Sequence, residues 1–241
     1  MKKKVVCIIP ARLNSTRFPK KILSLIHSKT MLEHVFEAAS KCPQFDEIYF
    51  AIDSPITAEA IKKFGGKFYM TSTSCSNGTN RLIELMKISK IKADIWVNWQ
   101  ADEPFIQPEM IDDLLQGVEK EGSIWTLKKE ILDADEVQNP SVVKVVTDKN
   151  NKALYFSRSP IPYNQTKIEC KFFKHIGLYA YTTGVLNQIA AIDSSRLSQI
   201  ESLEQLAFLE NGLPIHVYPT QYETLGIDTP NDLHKAKVLF L

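Results

Sequence analysis

Glycine is scarce in this 241-residue chain, which has nine. None falls in the segment after the first apolar run, so the glycine fingerprint that lets a dinucleotide pyrophosphate approach the backbone is missing. The four cysteines, Cys7, Cys42, Cys75 and Cys170, form no C-x-x-C pair. Their dispersal argues against a zinc or redox centre and for reduced thiols. Charge of one sign is also missing: 29 Lys and Arg face 28 Asp and Glu, a net of +1. That balance gives no field to draw in a nucleic acid or a membrane surface, so an anionic ligand has to be held locally. No stretch approaches the roughly 18 apolar residues needed to span a bilayer. Lys2-Lys3-Lys4 followed by Val5 to Ile9 imitates a secretory signal, but Pro10 and Arg12 end the run, and it reads better as a buried strand. The protein is therefore expected in the cytoplasm. Repeats, low-complexity tracts and linkers are lacking as well.

What is present is ordinary globular material, 44% hydrophobic and 24% charged. It suits a single α/β domain over residues 1–241. The β-branched run at 5–9 and a second at 47–52 flank helical spacing at Met31, Leu32, Val35 and Ala38, which makes a βαβ unit. Helix is expected at 56–64, closed by Gly65-Gly66, then strand at 67–70, helix at 80–90, strand at 95–100 and helix at 108–120. Such alternation predicts a mostly parallel sheet covered by helices on both faces. Beyond about residue 128 the rhythm changes. Runs at 142–147 and 153–156 around Asp148-Lys149-Asn150-Asn151 signal a hairpin, within a β-rich sublobe over about 140–181. Helix is expected again at 202–209 and strand at 215–218. A short strand at Leu225 to Ile227 is expected to meet a closing helix from Pro230, with Thr229 as its cap and Asp232 three residues on.

In open parallel sheets ligands bind beyond the carboxyl ends of the strands, which directs attention to the segments that follow them. Residues 10–21 hold Arg12, Arg17, Lys20 and Lys21 with the hydroxyls of Ser15 and Thr16. They suit a triphosphate, although a solvated basic loop has the same composition. Asn98 and Gln100 put amides into an apolar strand and need a polar ligand or a polar neighbour. Asp102 suits magnesium, which takes one or two carboxylates plus phosphate oxygens and water; Asp102 or Glu103 could equally cap the next helix. Asp228 is a second carboxylate, left free if Thr229 caps, and two carboxylates at one metal make a phosphoryl-transfer site. Residues 71–81 could surround a base or phosphate at a helix start, or form a plain serine-rich turn.

Together these segments resemble the 3-deoxy-manno-octulosonate (Kdo) cytidylyltransferases, from about residue 4 to the last helix. The resemblance rests on Pro-Ala-Arg-x-x-Ser-Thr-Arg-Phe-Pro-x-Lys at 10–21, Asn-Gly-Thr-x-Arg at 77–81 and Gln-x-Asp-Glu-Pro at 100–104. It continues through Val-Lys-Val-Val at 143–146, Ala-Leu-Tyr-Phe-Ser-Arg at 153–158, His-x-Gly-x-Tyr at 175–179, Leu-Glu-Gln-Leu at 203–206 and Asp-Thr-Pro at 228–230. It implies a Rossmann-like nucleotidyltransferase sheet, a homodimer formed through the β-rich insertion, and CMP transfer from CTP to an acidic eight-carbon sugar for lipopolysaccharide synthesis. By resemblance, Ala11, Arg12, Ser15, Arg17 and Lys21 line the CTP phosphates, and Ser76, Gly78, Arg81 and Gln100 border the nucleotide. Asp102 and Asp228 hold Mg2+, and Gln100, Arg158, His175, Tyr179, Glu204 and Gln205 take the sugar acid. Catalysis is expected to rest on Arg12, Lys21, Asp102 and Asp228. The sequence departs from the family pattern at Lys20 and Ala101, where glycine is usual, at Asn80, where an acid is usual, and at Ala207, where arginine is common. Plainer roles exist for the sugar residues: core aromatic for Tyr179, satisfied strand histidine for His175, surface ion pair for Arg158, and exposed helix face for Glu204 and Gln205. The same transfer to another acid sugar, and a non-catalytic nucleotide-binding protein, are the competing readings.

Overall fold

A computed structural model describes residues 2–15, 18–119, 124–192 and 195–239. They form two compact units, Met1–Ile111 with Glu223–Leu241, and Asp112–Tyr222.

The first unit opens with β1 (Val5–Ala11), a ribbon of β2 (Leu25–Ile26) and β3 (Lys29–Thr30), and α1 (Met31–Ser40). It continues with β4 (Glu47–Ile52), α2 (Pro55–Lys63), β5 (Phe68–Met70), α3 (Gly78–Ile88) and β6 (Ile95–Asn98), and α4 (Pro108–Leu115) leads onward into the second unit. The four main strands are parallel in the order β6-β1-β4-β5. Every residue of β1 is buried, as a strand in the interior of a parallel sheet requires. The helices start where local chemistry allows: Thr30, Ser54 and Asn77 each accept a backbone N–H through the side chain, and Pro55 opens α2. Gly65 ends α2 with φ 76°, the left-handed turn expected of it. The closing helix, Pro230–Leu239, begins at a reciprocal cap in which Asp232 N–H donates to Thr229 Oγ1 (3.2 Å) and Thr229 N–H donates to Asp232 Oδ2 (2.9 Å).

The second unit contains β7 (Ile124–Ile131), α5 (Ala134–Gln138), β8 (Lys144–Thr147), β9 (Ala153–Ser157) and β10 (Phe172–Thr182). After them come α6 (Thr183–Ile189), α7 (Arg196–Glu201), α8 (Gln205–Glu210) and β11 (His216–Pro219). β7 lies between antiparallel β10 and parallel β11. The hairpin of β8 and β9 forms as expected, pairing Val145 with Phe156, and Asp148 Oδ1 closes its turn by accepting the Asn150 and Lys152 N–H groups.

Several elements differ from the sequence reading. The helix expected at 108–120 ends at Leu115. The one expected at 202–209 starts later, at Gln205, because Ser202 adopts φ 52° and ends the preceding short helix α7 there. Leu225 to Ile227 forms no strand; Ile227 N–H instead donates a single bond to Asp102 O (2.8 Å). β7 escaped notice because Lys128, Lys129 and Glu130 interrupt its apolar pattern. Lys128 is nonetheless 6% exposed, its ammonium donating to Thr147 Oγ1 (2.6 Å) and Asn151 Oδ1 (3.1 Å) beneath the Phe173 ring.

Candidate active site

Within the first unit the segments beyond β1, β4, β5 and β6 supply the polar groups. Ala11 is the last, fully buried residue of β1, and Arg12 directly after it is exposed. The 10–21 segment ends in a 3-10 turn, Lys21–Leu23, where Leu23 N–H donates to Lys20 O (2.9 Å). Lys20 has φ 56°, the left-handed region in which glycine costs least, so the usual glycine there has a backbone reason. Ser15 is partly buried; Arg17 lies outside the described residues.

Lys21 is the centre of the arrangement. Its ammonium donates to Asp102 Oδ2 (2.5 Å) and to Asp228 Oδ1 (2.8 Å), so residues distant in sequence share one cation. Burial disfavours the charge on Lys21, but Asp102 and then Asp228 outweigh it and hold the lysine above its ordinary pKa. Asp102 stands in the turn after β6 rather than at the strand end, and α4 starts too far on for Asp102 or Glu103 to cap it. Asp228 is delivered by packing: Ile227 sits in an apolar cluster with Ile26, Met31 and Ala236, and Thr229 takes the helix cap, leaving the Asp228 carboxylate to Lys21.

Glu103 joins the two carboxylate-bearing segments. It accepts from Thr224 Oγ1 (2.7 Å), and a Cβ on Gly226 would lie 2.9 Å from its Oε1, so glycine is needed for that approach. Burial first, then the charge of Asp102, push its carboxyl up to about 7. Sequence reasoning saw Glu103 only as a possible cap.

Gln100 and Gly78 also meet. A Cβ on Gly78 would fall 2.9 Å from Gln100 Oε1, and Gln100 Nε2 donates to Asn98 Oδ1 (3.1 Å). Asn98, fully buried, donates in turn to Thr79 Oγ1 (3.3 Å), so its amide has polar neighbours within the protein. Ser76 Oγ accepts from Asn80 Nδ2 (2.6 Å). Arg81, 3% exposed, spends its guanidinium on Thr71 Oγ1 (2.7 Å), Ser72 O (3.1 Å) and Asp53 Oδ2 (3.1 Å).

The candidate sugar residues belong to the second unit. Arg158 is no simple surface ion pair: Nε donates to Glu201 O (2.7 Å), Nη1 to Pro140 O (2.9 Å), and its backbone N–H to Glu201 Oε2 (2.9 Å). Lys144, fully buried, donates to the Asn139, Val142 and Arg158 carbonyls and fixes this bend from inside. His175 meets Thr126 Oγ1 at 3.0 Å and packs edge-on to Phe156, and burial drives its pKa down to about 3. Two backbone carbonyls, of Ile176 and Leu178, lie within 3.0 Å of the Thr126 hydroxyl. With its proton given to a carbonyl, Thr126 accepts from His175, which places the ring proton on Nε2 and makes Nδ1 the acceptor. Tyr179 is buried and stacks on Tyr181, and burial raises its phenol well above the ordinary value. Gln205 is 5% exposed and so faces inward, while Glu204 occupies the cap position of α8 without a side-chain cap bond. Asp53, Glu201, Thr126 and Lys144 were not named as site residues; Asp53 stands just after a parallel strand and Lys144 lies in the 143–146 motif, whereas Glu201 and Thr126 gave no signal.

Among the described residues no group of three or more His, Cys, Asp or Glu side chains is arranged to hold a metal. Asp102 and Asp228 remain as two oxygen donors already gathered on one cation. That set suits magnesium, which needs few protein ligands when phosphate is present.

Comparison with known proteins finds relatives over nearly the whole chain. A family model described as cytidylyltransferase matches residues 6–216. A 3-deoxy-manno-octulosonate cytidylyltransferase of Thermodesulfovibrio yellowstonii is 43% identical over 247 residues, 96% of this chain and 96% of its own length. One of Escherichia coli is 41% identical over 238 residues, covering 98% of this chain and 96% of the relative. Among solved structures, a CMP:2-keto-3-deoxy-manno-octonic acid synthetase complexed with CTP superposes with a TM-score of 0.92 at 41% identity, over 98% of each chain. A 4-diphosphocytidyl-2C-methyl-D-erythritol synthase of Anaerococcus prevotii, at 15% identity and a TM-score of 0.67 over 99% of this chain and 98% of its own, shares the fold alone.

Proposed function

The chain belongs to the 3-deoxy-manno-octulosonate cytidylyltransferase family, and from that premise we propose that it transfers CMP from CTP to the anomeric hydroxyl of Kdo, releasing pyrophosphate. The observation that carries the reading is Lys21, drawn from the basic loop to Asp102 and Asp228 together. In the reaction the sugar hydroxyl oxygen bonds to the α-phosphorus, the bond from that phosphorus to the bridging oxygen breaks so that pyrophosphate leaves with its electron pair, and the hydroxyl proton passes to water. A triphosphate and a sugar carboxylate repel each other, so the site must supply positive charge.

Arg12 and Lys21 supply it from the protein, holding the phosphates and the negative charge that builds on the departing pyrophosphate. Lys21 already carries a full charge and can exchange carboxylate partners for phosphate oxygens. Asp102 and Asp228 would hold magnesium, which when bound neutralises phosphate charge and lowers the pKa of a coordinated hydroxyl. Gln100 and Gly78 border the nucleotide. Arg158, His175, Tyr179, Glu204 and Gln205 hold the sugar acid, with His175 neutral at its low pKa and able to donate or accept without adding charge. β9 lies at a sheet edge, pairing with β8, and such an edge in the 140–181 insertion supports a homodimer. A nucleoside triphosphate substrate and the absence of disulfides among the described residues support the cytoplasm, and the product suits lipopolysaccharide synthesis.

The test is a pyrophosphate-release screen crossing the four nucleoside triphosphates with Kdo, 8-amino-Kdo and a sialic acid. Release is expected with CTP and Kdo. Preference for another acid sugar would change the substrate, and silence with every sugar would point to a non-catalytic nucleotide-binding protein.

A further inference from the structure

Asp53, the residue that follows β4, has a side chain 11% exposed and belongs to none of the motifs noted above. Its two oxygens serve different parts of the first unit. Oδ1 accepts the backbone N–H of Leu13 at 2.9 Å, immediately after Arg12, and Oδ2 accepts from Arg81 Nη2 at 3.1 Å. Arg81 extends the connection to Thr71 Oγ1 and Ser72 O, and Thr71 Oγ1 donates back to Ile52 O at 2.8 Å. One buried ion pair therefore ties together the segments that leave β1, β4 and β5.

The chemistry of the pair suggests its purpose. A buried ion pair is poor value as a source of stability, because desolvation offsets most of the attraction. Apolar side chains of similar volume could fill the space, but none could accept the Leu13 N–H. An acceptor is needed there because Leu13 is 8% exposed and its amide would otherwise be buried without a partner. A carboxylate meets the need but places a negative charge beside a loop meant for a triphosphate, and the Arg81 guanidinium cancels that charge.

We propose that Asp53 is a positioning residue for CTP: through Leu13 N–H it sets the backbone on which Arg12 and the basic loop stand, while Arg81 neutralises it so that the phosphates are not repelled. The inference rests on the reading of the 10–21 loop as the phosphate loop. Arg81 then acts on the nucleotide through Asp53 rather than by direct contact.

The experiment measures steady-state kinetics together with CTP binding by calorimetry in the intact protein. Asp53→Ala is expected to raise KM for CTP and Kd for CTP at least tenfold, with KM for Kdo and kcat within threefold of the parent. A loss confined to kcat, with both CTP constants unchanged, would mean that Asp53 only supports folding and would overturn the proposal. Arg81→Gln and the double variant Asp53→Asn/Arg81→Gln guard against a variant that does not fold. Arg81→Gln leaves the Asp53 charge uncancelled beside the phosphate loop and is expected to weaken CTP binding; in the double variant the amides can pair and still accept from Leu13, so it is expected to bind CTP more tightly than Arg81→Gln alone. Equal or weaker binding by the double variant would also overturn the proposal. Calorimetry keeps this test separate from the functional reading: a parent protein that binds CTP but transfers CMP to no acid sugar would sink the reaction and leave Asp53 still tested.

Discussion

The two units carry candidate ligand groups of opposite character. In the first, charge is concentrated: Lys21 lies between Asp102 and Asp228, Glu103 is beside them, and Arg81 is paired with Asp53. In the second, the groups assigned to the sugar are largely uncharged and sequestered: His175 held neutral, Tyr179 stacked in an aromatic row, Gln205 turned inward. Arg158 and Glu204 are the charged exceptions, and the Arg158 guanidinium is fastened to backbone carbonyls. A phosphate-transfer centre must place cations where charge moves, and the carboxylates that hold Lys21 are 30% and 48% exposed, so that its partners can exchange. A sugar acid offers hydroxyls that are recognised by fixed, neutral donors and acceptors, which burial orients and protects from competition by water.

Removing one carboxylate from the charged side should break this contrast most visibly. Asp102→Asn preserves size and should lower kcat by about 10²–10³-fold at ordinary magnesium, the scale of losing one charge-stabilising element. Full turnover in that variant would show that the two carboxylates do not form the reacting centre. Chemical denaturation across pH sharpens the neutral side. His175 has a folded pKa of about 3, below the 6.5 of an ordinary histidine. Its contribution to stability is complete above the unfolded pKa and is lost as pH falls from there toward the folded one, by up to about 1.4 kcal/mol per pH unit. His175→Gln should flatten that acid limb, and an unchanged slope would mean the imidazole is not held neutral by burial. The smallest expected effect concerns the loop backbone. Lys20→Gly should raise stability by up to about 1 kcal/mol, read as a higher midpoint in urea, because glycine adopts φ 56° without a Cβ penalty. A fall in stability would place the positive φ among conformations that Lys20 itself supports.

Much of the fold was legible because its signals are local. The β-branched runs of β1 and β4 sit at the expected residues, and Gly65 and Thr229 terminate and start helices as their chemistry dictates. Errors arose where a distant partner overruled the local pattern. Lys128 and Lys129 concealed the strand β7, yet Thr147, Asn151 and Phe173 accept Lys128 into the interior. Ser202, expected to open a helix, instead ends α7 in a left-handed turn, and Ile227 was drawn to Asp102 O rather than into a strand. The same limit applied to the site: Lys21, Asp102 and Asp228 could be named as candidates, whereas Asp53 and the clasp of Glu103 with Thr224 and Gly226 could not.

The sequence by itself determined the alternation of strands and helices in the first unit from β1 to β6, the basic composition of the loop after β1, and the carboxylates available to meet it. Those features depend on residue type and on spacing within a few positions. Only the tertiary structure decided that one lysine would join two aspartates from distant segments, and that Arg81 would turn to Asp53 inside the protein. Such pairings depend on how the segments pack, and the free energy of burying a charge is set by whichever partner packing brings within reach.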